Sequence, residues 1–212
     1  MRRRFRSTMS ETHTETRPPS PSEPTVGTLP CENPDELSKR ARKAREEQMV
    51  VVPDVDAYGF VPKVGNATYT VATGSLSEYE VNPRSGGSCP DANINNPEDG
   101  CKHAHRVIKR LNDGELPEPD SKGEWYFRER LPEQVATCLR DRRRLTTGQP
   151  PNVDHDARRD VLEQVEHFGA VLVEAYDDYR ERVTDSEAPP LAELVTGADA
   201  DDLAPFRPDD AE

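Results

Sequence analysis

Apolar side chains are scarce in this chain: 33% of its 212 residues are hydrophobic, 6% are aromatic and one is tryptophan. So little apolar surface cannot offset the ordering entropy of the whole polypeptide. One small folded core, some helix and long disordered flanks are therefore expected. No run approaches the roughly 18 apolar residues of a membrane span. Arg2, Arg3, Arg4 and Arg6 imitate the charged start of a secretory leader, but no apolar stretch follows them. Glycine-rich phosphate loops, nucleophile elbows and zinc-protease helices are also missing. Glu98 and Asp99 are loop acids with no arrangement marking a general base, and His155 and His167 fall on or beside a polar helix face. The chain is not expected to be an enzyme, and it contains no internal repeat.

Lysine is scarce too: six of the 28 basic residues are lysine, against 41 acidic residues and a net charge of −13. Such a balance keeps a protein soluble through repulsion and hydration. It resembles the composition of proteins from halophilic archaea. The four cysteines are Cys31, Cys89, Cys101 and Cys138. With no leader evident, the chain reads as intracellular and cytoplasmic, where cysteines more often bind metal or stay reduced than pair. Met9-Ser10-Glu11-Thr12 has the look of a natural start.

The first 32 residues, rich in Ser, Thr, Pro and Glu, read as a disordered tail. Residues 33–48 read as a helix, with Asn33 as cap, Pro34 in the first turn and Asp35 and Glu36 at the positive end of the dipole. Short apolar or alternating runs follow at Met49 to Val52, Tyr58 to Val61, Thr68 to Val71 and Ser77 to Val81. The last two flank the turn residues Gly74 and Ser75, so a small antiparallel sheet is expected. A glycine- and proline-containing loop, 82–100, leads to a helix from about Lys102 to Leu111, ended by Asn112-Asp113-Gly114. Residues 115–123 read as a linker. A helical region over 124–184 follows, with Leu131, Val135 and Leu139 in one segment. Leu162, Val165, Phe168, Leu172, Tyr176, Tyr179 and Val183 form a longer stripe over 156–183. Residues 185–212 read as an acidic disordered tail. The fold class is α+β, with a ββα module over 49–114 and further helices.

Cys89, Cys101 and His103 carry the chemistry. Thiolate and imidazole are the ligands zinc prefers, and structural zinc sites are tetrahedral. A hairpin ending in one ligand, a loop, and a helix whose first turn carries others can converge on one ion. A small sheet gains much of its stability that way.

With the paired β-segments, Ser88-Cys89-Pro90-Asp91 and Cys101-Lys102-His103 in this order, residues 56–112 resemble the SWIM-type zinc finger. That family has the pattern C-x-C, a variable loop, then C-x-H, on a ββα module. The resemblance implies a bound Zn2+ and, more loosely, DNA or protein binding. The chain departs from it at Gly87, where the first cysteine of C-x-C should stand. His105, four residues after Cys101 and read as on the same helical face, is the favoured fourth ligand, with Asp91, Cys31, Cys138 and water as alternatives.

Two local basic patches bear on partners. One is Lys102, Arg106, Lys109 and Arg110, and the other is Arg140, Arg142, Arg143 and Arg144. Each suits phosphate contacts or is simply a solvated helix face. The 156–183 stripe offers a protein interface, including a homodimer, or packs internally on 124–145 with Phe168, Leu172 and Tyr176 as core. The role expected is an adaptor for DNA or protein. The alternative is a metal-free module that binds protein through the long helix.

Overall fold

The computed structural model describes residues 37–55, 68–95, 97, 99–119, 123–147, 154–182 and 188–207. The N-terminal tail, Cys31, the Asn33 cap and the Tyr58–Val61 run lie outside the described residues.

Alternation of β-branched and aromatic residues builds a four-stranded antiparallel sheet in the order β1-β2-β3-β4. Its strands are β1 (Met49–Pro53), β2 (Tyr69–Thr73), β3 (Glu78–Asn82) and the two-residue β4 (Gly86–Gly87). Val71 on β2 opposes both Val51 and Tyr79, and Val81 opposes Tyr69 and Gly87. In the β2–β3 turn it is Leu76, at φ 59, that takes the left-handed conformation.

Side chains two apart share a face of a sheet. Val51, Val71, Tyr79 and Val81 therefore point one way, and Val50, Val52, Ala72 and Glu78 the other. The first face is covered by helix α2 (Lys102–Asn112), whose buried Val107 and Leu111 meet it and whose His103 lies on the Tyr79 ring. The second is covered by α4 (His155–Arg182), whose His167 faces Glu78. Covered on both sides, β1 is buried along its whole length.

Helix α1 (Lys39–Glu46) precedes the sheet. It is capped by Ser38, whose Oγ accepts the Ala41 N–H at 3.2 Å. It buries only Ala41 and Ala44, and packs on α2. Helix α3 (Leu131–Thr147) follows a wide helical turn at Tyr126–Arg130 and lies along α4. Tyr126 is fully buried and donates its hydroxyl to the Val51 carbonyl at 2.9 Å, tying this turn to the sheet. Phe127 stacks on Tyr179 at 4.5 Å, nearly parallel. Phe168, Leu172 and Tyr176 are buried within the chain, so this part of the α4 stripe packs internally.

Two expectations need correction. The stretch 115–123 is not a loose linker where it is described: Leu116 is 2% exposed, and the Pro117 carbonyl accepts the Tyr69 hydroxyl at 2.9 Å. The acidic C-terminal segment is also folded over residues 188–207. It forms α5 (Leu191–Leu194), α6 (Ala200–Leu203) and a last 3-10 turn at Ala204–Phe206. Leu191, Val195, Leu203 and Phe206 are all buried, and the Phe206 ring fills the space over Gly169 of α4. Arg207 closes the segment with two bonds to the Asp177 carboxylate at 2.8 and 3.1 Å. Asp199 and Asp202 cap α6 reciprocally, which suits carboxylates at a helix N-terminus.

No helix among the described residues is long and apolar enough to cross a membrane.

Candidate metal centre

The β3–β4 pairing delivers the first candidate ligand. Ser88 N–H donates to the Glu80 carbonyl at 2.8 Å, and Ser88 Oγ accepts the Glu80 N–H at 3.0 Å. These bonds hold Cys89 at the end of the sheet, where Pro90 turns the chain into a short wide helical turn, Asp91–Asn95. Asn93 N–H bonds back to the Cys89 carbonyl, and Ala92 N–H points at Cys89 Sγ at 3.4 Å. The Asp91 carboxylate reaches across to α1, accepting from Arg40 at 2.8 and 3.2 Å, and also accepts from Asn95. Arg40 holds the Asp91 carboxyl down at about 2.

The loop returns through Gly100, at φ +81, to Cys101. Cys101 is the N-cap of α2: its backbone is extended and its Sγ accepts the Ala104 N–H at 3.4 Å. His103 then sits in the first turn, its ring 4.6 Å from that of Tyr79.

The outcome is a convergence. Cys89 Sγ, Cys101 Sγ and a ring nitrogen of His103 all lie within 4.8 Å of one another. The three residues are 0%, 1% and 4% exposed. Tetrahedral zinc with two sulfurs and a nitrogen spaces these ligands by about 3.5–3.8 Å, which falls inside that limit. Neither ring nitrogen of His103 has a hydrogen-bond partner, although both are buried. A buried imidazole left so is costly, and a metal–nitrogen bond would satisfy it. Burial, and to a lesser degree the Lys102 charge, push its pKa down to about 4, so the ring is neutral and its lone pair available near pH 7. Burial pushes the Cys101 thiol up, which the Ala104 N–H partly offsets. Backbone N–H groups aimed at sulfur are the outer-shell bonds that stabilise thiolate ligands.

Three of the four expected ligand positions are thus gathered. His105 is buried, but its Nε2 lies 3.8 Å from Asp99 Oδ2, and it is not one of the converging group. The physical reason lies in the cap. Cys101 is not helical, so its spacing to residue 105 does not place the two on one face. Within the helix, residues 103 and 105 project about 200° apart. Cys138 stands elsewhere, half-buried on α3, its thiol pushed up to about 12 by burial. Asp91 is engaged by Arg40. No fourth Cys, His, Asp or Glu joins the group among the described residues.

Sequence reasoning missed the Arg40–Asp91 clamp and the ion pair between Lys102 and Glu47 at the end of α1. Both depend on α1 docking beside α2, which no local pattern announces. Of the second basic patch, Arg142 is paired with Glu166 and Arg143 with Asp202.

Comparison of the chain with protein-family models, with curated proteins and with solved structures returned no match.

Proposed function

We propose that this protein carries one structural zinc ion on Cys89, Cys101 and His103, in a SWIM-like module that presents α2 to a macromolecular partner. The observation that carries the reading is the buried convergence of two sulfurs and a partnerless imidazole within 4.8 Å. The order of hairpin, cysteine turn, loop and C-x-H helix start supports the likeness to SWIM modules, with Gly87 as its departure. The ion fastens the end of the sheet to the first turn of α2. It fixes the chain between Cys89 and Cys101, a loop otherwise held by side-chain bonds such as Arg40–Asp91.

Metal analysis of the purified chain tests this. One equivalent of zinc per chain is expected, and a Cys101→Ser variant should retain little. A chain that takes up no metal from excess zinc under reducing conditions would overturn the reading. The alternative is a metal-free module acting through α4. It draws support from Val161 of α4, which is 44% exposed.

A further inference from the structure

We infer that the paired helices α1 and α2 form a docking face for the phosphate backbone of double-stranded nucleic acid. This rests on the reading of α2 as the partner-facing side of the module, and adds α1 and the class of partner.

The argument begins with charge segregation. Together α1 and α2 hold nine of the 28 basic residues and one of the 41 acidic ones. They therefore carry +8 while the rest of the chain carries −21. The sequence separates these helices by more than fifty residues, and the fold packs them side by side. Lys39, Arg40 and Lys43 of α1 and Lys102 of α2 line one cleft of about 340 Å³, with Asp91 the one acid among them. On α2 the basic side continues to Lys109, about 10 Å along the axis from Lys102, while the half-buried Arg106 donates to the Glu47 carbonyl.

Asp91 is bound to Arg40 within the cleft, and the other acids that touch this face do so from its margins. Glu47 pairs with Lys43 and Lys102, Asp99 with Arg40, Asp113 with Lys109, and Glu115 with Arg110. Partly exposed pairs of this kind contribute little to stability, so phosphate oxygens can replace the carboxylates at little cost.

The nature of the partner follows from what the face contains. Neither helix has a Phe, Tyr or Trp, so bases have no aromatic side chain to stack on, as single strands usually require. A duplex instead offers one negative charge per about 1.7 Å of axis, and binding gains from counterion release in proportion to the phosphates neutralised. That gain can outweigh the repulsion of a chain with net charge −13, which sparsely spaced carboxylates on an acidic protein would not. The −21 remainder turns the same face toward the duplex each time.

The test is fluorescence anisotropy of the full zinc-treated chain with a labelled mixed-sequence duplex DNA of about three helical turns, over about 50–300 mM KCl. Four or five phosphate contacts predict a plot of log affinity against log salt with slope about −4. Lys39→Glu/Lys43→Glu should weaken binding at least about ten-fold at low salt and make the slope shallower by about two. Arg159→Glu/Arg180→Glu on exposed α4 positions changes net charge equally and should alter affinity by less than about three-fold. No measurable binding, a flat salt plot, an equal loss in the α4 variant, or equal competition by poly-glutamate at matched charge would each overturn the inference. Zinc content is measured on the same samples. Loss of DNA binding in a lysine variant that keeps its zinc concerns this face alone, and absence of zinc from a chain that binds DNA concerns the metal alone.

Discussion

The sulfurs of Cys89 and Cys101 are held in the same way: each accepts, at 3.4 Å, the backbone N–H of the residue three positions further on. Two such turns face each other with their Sγ atoms within 4.8 Å. The N–H groups favour thiolate, while burial favours thiol and, at Cys101, is the larger influence. Without metal Cys101 therefore holds a proton that an ion must displace.

Zinc affinity should accordingly rise with pH. A thiol that loses its proton on binding contributes up to about ten-fold per pH unit, and Cys101, whose thiol burial pushes up, supplies that dependence. His103, with its pKa near about 4, adds no proton release above pH about 5. Competition against a chromophoric chelator at pH about 6, 7 and 8 measures this. An affinity independent of pH would mean that thiolates are not the ligands.

The C-terminal segment should stand or fall with one contact. A Cβ on Gly169 would lie 2.4 Å from the Phe206 ring, so Gly169→Ala must push that ring out of its seat. Overpacking of this kind costs about 1–3 kcal/mol, and Phe206→Ala, which empties the seat, about 3–5 kcal/mol. Both variants should speed proteolysis and hydrogen exchange over 188–207 before the rest of the chain opens. Unchanged protection there would contradict the packing of Phe206 on α4.

How much of this was legible in the sequence depends on how local each signal is. The alternation through Tyr69, Val71, Tyr79 and Val81, and the helical spacing of Leu131, Val135 and Leu139, mark elements that the fold contains. The three converging side chains were legible because their residue types are chemically distinctive. The C-terminal segment was not, since Leu191, Val195, Leu203 and Phe206 sit among acids and prolines with no single period. They are buried because α4 offers them a surface, which is a tertiary fact. Leu116 was hidden by its proline-rich surroundings in the same way. The place of His105 was misleading for a different reason: the helix begins after Cys101, so counting from that residue uses a periodicity it does not obey.

Acid should act on the Arg40–Asp91 clamp within a definite window. The Asp91 carboxyl is held at about 2 by its hydrogen bonds from Arg40 and Asn95, against about 4 in an unfolded chain. A lowered pKa contributes stability that is fully present above the unfolded value and lost as pH falls through the folded one. Asp91→Asn should therefore lower Tm at pH about 7, with the gap closing between pH about 4 and about 2. Thermal melts of both proteins across that range, read by circular dichroism, check the sign. A gap that widens on acidification would show that Asp91 acts through something other than its charge.

The departure at Gly87 yields the sharpest test of the likeness to C-x-C modules. A Cβ there would come within 2.9 Å of the Glu80 carbonyl oxygen and 3.2 Å of Val81 Cγ2. The backbone oxygen cannot rotate aside as a side chain would, so strand β3 resists the added carbon. Gly87→Ala should then cost about 1–3 kcal/mol without metal, and Gly87→Cys about as much. If the strand resists, the added thiol does not reach the ion, and zinc binds the Cys variant no more tightly than the Ala variant. That is the outcome the close approach of β3 and β4 predicts. Chelator competition on the two variants, with thermal melts before and after zinc, measures both parts. Tighter zinc binding by Gly87→Cys alone would mean that the strand yields and that the position still points at the metal.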